Sequence, residues 1–211
     1  MLPMTTQMRR IPRLLFGLVL FGVGLAMIVR GDYGLPPWDV FHQGLSLKTP
    51  LTIGTAIIVV GAVLLIAMLW LREPIGIGTI GNVLVIGLSL DLTLLVFDQD
   101  PSNVVVRVAL TVAGPLVVAV ATGLYLGVHL GPGPRDGIMT ALARRGVTPW
   151  KARLGIEATA FVIGVILGGT VGWGTVWFLL AIGPAVQRSM GRLSLPLSGE
   201  TEGGLSGLPK G

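Results

Sequence analysis

The stretch LTIGTAIIVVGAVLLIAMLWL, residues 51–71, holds no charged side chain and is closed by Arg72, Glu73 and Pro74. About 20 consecutive apolar residues make a helix long enough to cross the hydrocarbon core of a bilayer. A strand of a membrane barrel needs about ten, alternating in polarity, so this continuous run reads as a transmembrane helix. Outward from it, runs of the same kind take up most of the chain. Residues 14–29 precede it; residues 80–97, interrupted by Asn82, Ser89 and Asp91, and residues 104–128, 154–170 and 175–186 follow. The expectation is an all-α, polytopic membrane bundle of about six transmembrane helices.

Composition supports this. Of 211 residues, 52% are hydrophobic and 12% charged, and the mean hydropathy is +0.83. A soluble domain carries roughly 25% charged residues; half of that cannot cover a water-facing surface, so lipid is the expected partner. Six spans and their links leave no room for a separate soluble domain. There is no cysteine, which excludes disulfides, thiolate metal sites and thiol catalysis. The two histidines, His42 and His129, lie far apart in sequence, so no metal or other cofactor is expected. Arg9, Arg10 and Arg13 before the first run resemble the start of a signal peptide. No small-residue cleavage site follows, and the run reads as a retained helix.

The basic residues set the expected orientation. With both termini in the cytoplasm, the inner segments carry twelve Lys and Arg and the outer segments three, namely Arg30, Lys48 and Arg107. Such a bias marks the cytoplasmic side, so the net charge of +5 is assigned to loops at a plasma (inner) membrane rather than to nucleic acid. The expected segments are a cytoplasmic N-terminus (1–13), a first three-helix unit (14–98), a second (99–192) and a disordered cytoplasmic tail (193–211).

Those two units resemble each other. Gly34-Leu35-Pro36-Pro37-Trp38-Asp39 matches Gly131-Pro132-Gly133-Pro134-Arg135-Asp136 at an offset of 97, which also pairs Arg10 with Arg107 and Gly17 with Gly114. Gly76-Ile77-Gly78-Thr79 matches Gly172-Trp173-Gly174-Thr175 at an offset of 96, which pairs Gly87 with Gly183. A repeat of three spans must enter the membrane from the opposite side in its second copy. The charge count reaches the same arrangement independently. Inverted three-plus-three repeats recur in secondary transporters, where two related halves rock about a shared midplane site.

Four groups of residues carry chemistry. Pro37 and Pro134 suit the first position of a helix, and Asp39 and Asp136 then fall in a first turn, facing the positive end of the helix dipole. They are either ordinary caps or the starts of short re-entrant or interfacial helices after the first and fourth spans. The apolar link 31–50, with Trp38 in it, fits the second option. Gly76, Gly78, Thr79, Gly172, Gly174 and Thr175 suit close packing at the repeat interface better than a phosphate cradle. Gly164, Gly168 and Gly172, spaced by four, fit a small-residue helix contact. Asp91 lies inside an apolar run, where a carboxylate costs about 2.5–3.5 kcal/mol; it is either a hydrogen-bonded structural group or a proton or cation site. Glu157, four residues after Arg153, is either its interfacial ion-pair partner or a coupling group.

These motifs, with Arg153-Leu154-Gly155-Ile156-Glu157 and the Gly-Pro-Arg-Asp-Gly element ending at Gly137, resemble the YczE/YitT group of bacterial membrane proteins, over about residues 10–188. The resemblance implies a multi-span protein of the bacterial inner membrane and no substrate. The leading functional expectation is a small secondary transporter or exporter of an unknown small molecule or ion, acting alone or as a homodimer. Trp38, Asp39, Arg135 and Asp136 are expected to line its pathway, with Asp91 and Glu157 as coupling or gating groups. A non-transporting accessory or scaffold protein, using Arg144, Arg145 and Lys151, is the alternative. No nucleophile–base pair or metal cluster argues for an enzyme.

Overall fold

The computed structural model describes residues 4–97 and 101–195; the expectations for residues 98–100 and for the tail beyond 195 lie outside these. The described residues form eight helices and no strand: α1 (Met4–Gly31), α2 (Pro37–Lys48), α3 (Ile53–Trp70), α4 (Ile77–Val96), α5 (Val104–Leu126), α6 (Pro134–Arg144), α7 (Pro149–Leu167) and α8 (Trp173–Leu193). Four stretches, Gln7–Gly31, Ile53–Trp70, Ile77–Val96 and Val104–Leu126, are long and apolar enough to cross a membrane. Their exposed side chains are those of a lipid-facing surface: Val63, Ile66, Leu69, Leu88, Leu92 and Val105 among them. The fold is a membrane helical bundle. α7 carries Lys151, Arg153 and Glu157 in its first half, and α8 ends on Gln187, Arg188 and Arg192, so neither reaches the same apolar length.

Short helices do follow the first and fourth apolar runs. α2 and α6 have 12 and 11 residues, about 18 and 16 Å at 1.5 Å per residue, too short to cross a bilayer. The first helix begins ten residues before the apolar run, because Arg10 is used inside the fold rather than left to the solvent.

The centre of the bundle is the pair α1 and α5. Added Cβ atoms at Gly17, Gly24 and Gly31 would come within 2.8, 3.0 and 3.1 Å of the backbone nitrogens of Tyr125, Val118 and Thr111. The partner numbers fall by seven as the glycine numbers rise by seven, so the helices run antiparallel with a near-constant seam facing its partner. Glycine allows this approach because nothing separates the two backbones. Both ends are fastened by one device used twice. Arg10 donates to Val128 O at 3.1 Å, and Arg107 Nε donates to Gly31 O at 3.1 Å. Each guanidinium thus satisfies a carbonyl left over at the other helix's C-terminus and neutralises its dipole. Arg10 and Arg107, and Gly31 and Val128, are pairs at the same offset of 97.

The links after α1 and α5 match as closely. Asp32 and His129 both take left-handed backbone, at φ 54° and 57°, and Gly34 and Gly131 follow at φ 112° and 126°. Each link then docks on the glycine–threonine motif of the other half. Gly78 N donates to Leu130 O at 2.9 Å and Gly174 N to Tyr33 O at 2.8 Å. Inside each motif the threonine hydroxyl accepts the N–H at the helix start, Gly76 N to Thr79 Oγ1 at 3.2 Å and Gly172 N to Thr175 Oγ1 at 3.3 Å. A Cβ on Gly34 would lie 2.5 Å from Gly172 N, and one on Gly131 would lie 2.7 Å from Thr79 Oγ1. These motifs are packing elements between the halves.

Within each half α4 packs on α1 and α8 on α5, and between the halves each short helix packs on the other's middle helix, α2 on α7 and α6 on α3. The glycines at 164, 168 and 172 do not form one stripe. α7 ends at Leu167, Gly168 caps it at φ 96°, and Gly172 belongs to the α8 start; only Gly164 packs against a helix, with an added Cβ 2.5 Å from Phe41 N.

Alanine at Gly34 or Gly131 would combine left-handed strain, about 1–2 kcal/mol, with a backbone collision. Gly146 has φ 89° and no neighbour within 4 Å of an added Cβ, so Gly146→Ala isolates the strain. We expect Gly34→Ala and Gly131→Ala to lower the unfolding temperature in detergent clearly more than Gly146→Ala. Equal losses in all three would show that the cross-half docking contributes nothing.

Candidate functional site

Between the two halves lies a cavity of about 530 Å³, within the range of about 300–1,000 Å³ common to small-molecule sites. It takes the same positions from both halves: Phe21 and Val118, Leu25 and Thr122, Pro37 and Pro134, Trp38 and Arg135, Asp39 and Asp136, Ile86 and Ile182. The N-termini of α2 and α6 both line it. Each opens on a proline at its first turn and has no side-chain cap. Proline removes one N–H that would need a partner and pre-sets the helical φ, so the chain turns into each helix at the cavity wall. The positive ends of two helix dipoles therefore border the cavity, each with its own carboxylate in the first turn.

Asp39 is buried, and its Oδ1 lies 3.2 Å from Nδ1 of His42, also buried, one helical turn on. The Trp38 ring lies against His42 with centroids 6.0 Å apart, and the Arg135 guanidinium sits 5.8 Å from the Trp38 centroid. The residue that differs most between the two motifs, Trp in one and Arg in the other, thus forms a cation–π contact across the cavity. The Trp38 indole N–H is buried with no partner among the described residues. An orphan donor of this kind costs about 1–3 kcal/mol, and here it borders a cavity that a ligand's acceptor can enter. On the wall supplied by α7, Arg153 Nε donates to Glu157 Oε1 at 3.1 Å. Asn82, Thr122, Tyr125 and Gln187 add further polar groups, and much of the remaining wall is apolar, with Leu25, Ile57, Val60, Leu64, Val83 and Phe178.

Trp38, Asp39, Arg135, Asp136 and Glu157 are thus brought together. Asp91 is not. It caps the start of α3, where Gly54 N donates to Oδ1 at 2.9 Å and the Thr52 hydroxyl donates to Oδ2, and it does not line the cavity. The carboxylate inside an apolar helix is thus compensated by the N–H and hydroxyl groups at a neighbouring helix start. His42 was missed in the sequence, although its spacing of three from Asp39 on a helix beginning at Pro37 puts the two on one face. Arg10 and Arg107 are legible in the sequence as a repeat pair, but nothing local shows that each reaches the other's helix.

The whole bundle from residue 8 to 190 matches the model of a family of unknown function, DUF6198. The chain belongs to this family. It is similar to an uncharacterized protein of Haemophilus influenzae, 35% identical over 87% of this chain and 84% of that one. It is also similar to the uncharacterized membrane protein YczE of Bacillus subtilis, 28% identical over 82% of each chain, and to the uncharacterized protein YyaS of the same organism, 26% identical over 76% of this chain and 82% of that one. No solved structure matches it significantly. The resemblance to the YczE group, read from the motifs, is borne out: this DUF6198 chain is a membrane protein of YczE type.

Two stability measurements separate the roles of the polar groups. Asp91→Ala removes the acceptor of Gly54 N while Thr52 still accepts from Thr55 N, and is expected to cost about 0.5–2 kcal/mol, while Asp136→Ala is expected to cost little, as seen in unfolding temperatures in detergent. Trp38→Phe removes an N–H that makes no internal bond, so it is expected to change stability by less than about 1 kcal/mol. A loss from Trp38→Phe as large as from Trp38→Ala would mean that the N–H has a protein partner.

Proposed function

We propose that this chain is a small secondary transporter or exporter of a small molecule or ion in the bacterial inner membrane, built as six spans in an inverted three-plus-three repeat with both termini in the cytoplasm. The observation that carries the reading is a cavity built from the same positions of both halves and lined by two helix starts with their carboxylates. Interrupted helices whose ends border a central site are a recurrent transporter device. The inversion is supported by the antiparallel course of α1 and α5, since first helices that run side by side in opposite senses cross a membrane in opposite senses. α7 and α8 supply the fifth and sixth spans. Their 19 and 21 residues give about 28 and 31 Å, and their charged ends reach the interface by snorkelling. In this frame α2 and α6 are re-entrant helices, and Asp39 and Asp136 hold substrate from opposite sides. The orphan indole N–H of Trp38 and the Arg135 guanidinium supply donors for an acceptor on the substrate. No bond is made or broken in this cycle.

The accessory-protein reading relies on the basic link after α6. Arg144 is engaged with Glu73 at 3.3 Å, and Arg145 with the Ala141 and Leu71 carbonyls, which leaves less of that surface for a partner.

The test compares metabolite release and uptake in cells that lack the protein and express either the wild type or an Asp39→Ala, Asp136→Ala double variant. The double variant is expected to remain in the membrane and to behave like the empty cells. Full activity of the double variant would sink the assignment. A co-purifying partner lost on neutralising Arg144, Arg145 and Lys151 would move the accessory reading ahead.

A further inference from the structure

The halves match in sequence and in their central contacts, yet the cavity is closed on one flank and open on the other. On the closed flank α3 packs along α4. Gly54 and Gly87 are so close that a Cβ on either would strike the other's carbonyl oxygen, and the Asp91 carboxylate joins the α4 end to Thr52 and Gly54. On the other flank α7 and α8 hardly touch. Gly183, the counterpart of Gly87, has nothing within 4 Å of an added Cβ. The exposed residues of the cavity wall are Arg153, Leu179, Gly183 and Gln187, all on α7 and α8, whereas every wall residue from α3 and α4 is buried or half-buried. The mouth of the cavity is therefore the α7–α8 gap.

At the offset of 96, Thr52 corresponds to Thr148, Gly54 to Trp150 and Asp91 to Gln187. Two related pairs of helices, one shut and one apart around a common cavity, are the two gates of one device caught in one of its two states. We propose that the α3–α4 contact is the closed gate, latched by Asp91, and that the α7–α8 gap is the open gate; the chain changes state by parting α3 from α4 and closing α7 on α8. This rests on the transport reading. The latch is one-sided. Asp91 offers a carboxylate to a helix start, whereas Gln187 offers only an amide, and Trp150 replaces the glycine that lets α3 touch α4. The state with α7 and α8 apart is therefore the favoured one, and the space beside Gly183 is where the Trp150 ring seats when they close.

The chain has no cysteine, so introduced thiols report cleanly. Thr148→Cys with Gln187→Cys places a thiol on each side of the open gate. Disulfide formation by a mild oxidant in native membranes is expected, about tenfold faster when Asp91→Asn weakens the latch. A single Ile58→Cys, in the α3–α4 contact beside Gly87 and outside the cavity wall, is expected to react slowly with a membrane-impermeant thiol reagent and about tenfold faster with Asp91→Asn. Should Asp91→Asn fail to fold, Gly183→Trp gives the converse. It fills open space, is expected to leave stability unchanged, and is expected to prevent both the cross-link and Ile58→Cys labelling. A protein of wild-type stability that never cross-links, with Ile58→Cys equally slow in all backgrounds, would overturn the proposal and make the gap a fixed feature. Cross-linking together with undiminished transport by the Asp39→Ala, Asp136→Ala variant would keep the gates and discard the pathway carboxylates; the opposite pair of results would do the reverse.

Discussion

The bundle depends on one contact, the backbone-to-backbone approach of α1 and α5. In lipid there is no hydrophobic drive to bring two apolar helices together, because the lipid tails are as apolar as the side chains. Association must come from close packing and from polar groups with nowhere else to go. The glycine seam at 17, 24 and 31 supplies the first, and Arg10 and Arg107, each on the carbonyl that ends the other helix, supply the second. Burying a guanidinium is costly unless its donors are used; here it is repaid at a helix C-terminus, where free carbonyls and a negative dipole end coincide.

Everything else hangs from that pair. α4 lies on α1 and α8 on α5, and the links leaving the central helices dock on the glycine–threonine starts of the other half. Those docking points hold the short helices α2 and α6 with their N-termini turned inward, so the cavity is a consequence of the crossed connections and not of any one motif. A docked Gly34 or Gly131 has to be glycine twice over, for its backbone angle and for the space it leaves.

The departures from symmetry are local and chemical. Where one half has Gly54 the other has Trp150; where one has Asp91 the other has Gln187; where one has Trp38 the other has Arg135. The first two differences leave α3 and α4 together and α7 and α8 apart. The third puts an aromatic face and a cation on opposite sides of one cavity, which neither half holds by itself.

The sequence by itself determined the helices and their lipid environment, because a charge-free run of twenty residues has few other ways to satisfy its backbone. It left the segments after the first and fourth runs as either capped loops or short helices, with Pro37 and Pro134 suited to a helix start and the link 31–50 apolar for an open loop. The pairing of Asp39 with Asp136 was legible in the same way, as a match at fixed offset. Only the tertiary structure decided that Asp91 is a cap, that His42 is the partner of Asp39, and that the cavity opens between α7 and α8. The reason is that local pattern records how a helix begins, ends and turns its face. It does not record which neighbour that face meets. Asp91 finds its donors 37 residues away and Arg10 its acceptor 118 residues away, and such contacts exist only once the two halves have crossed.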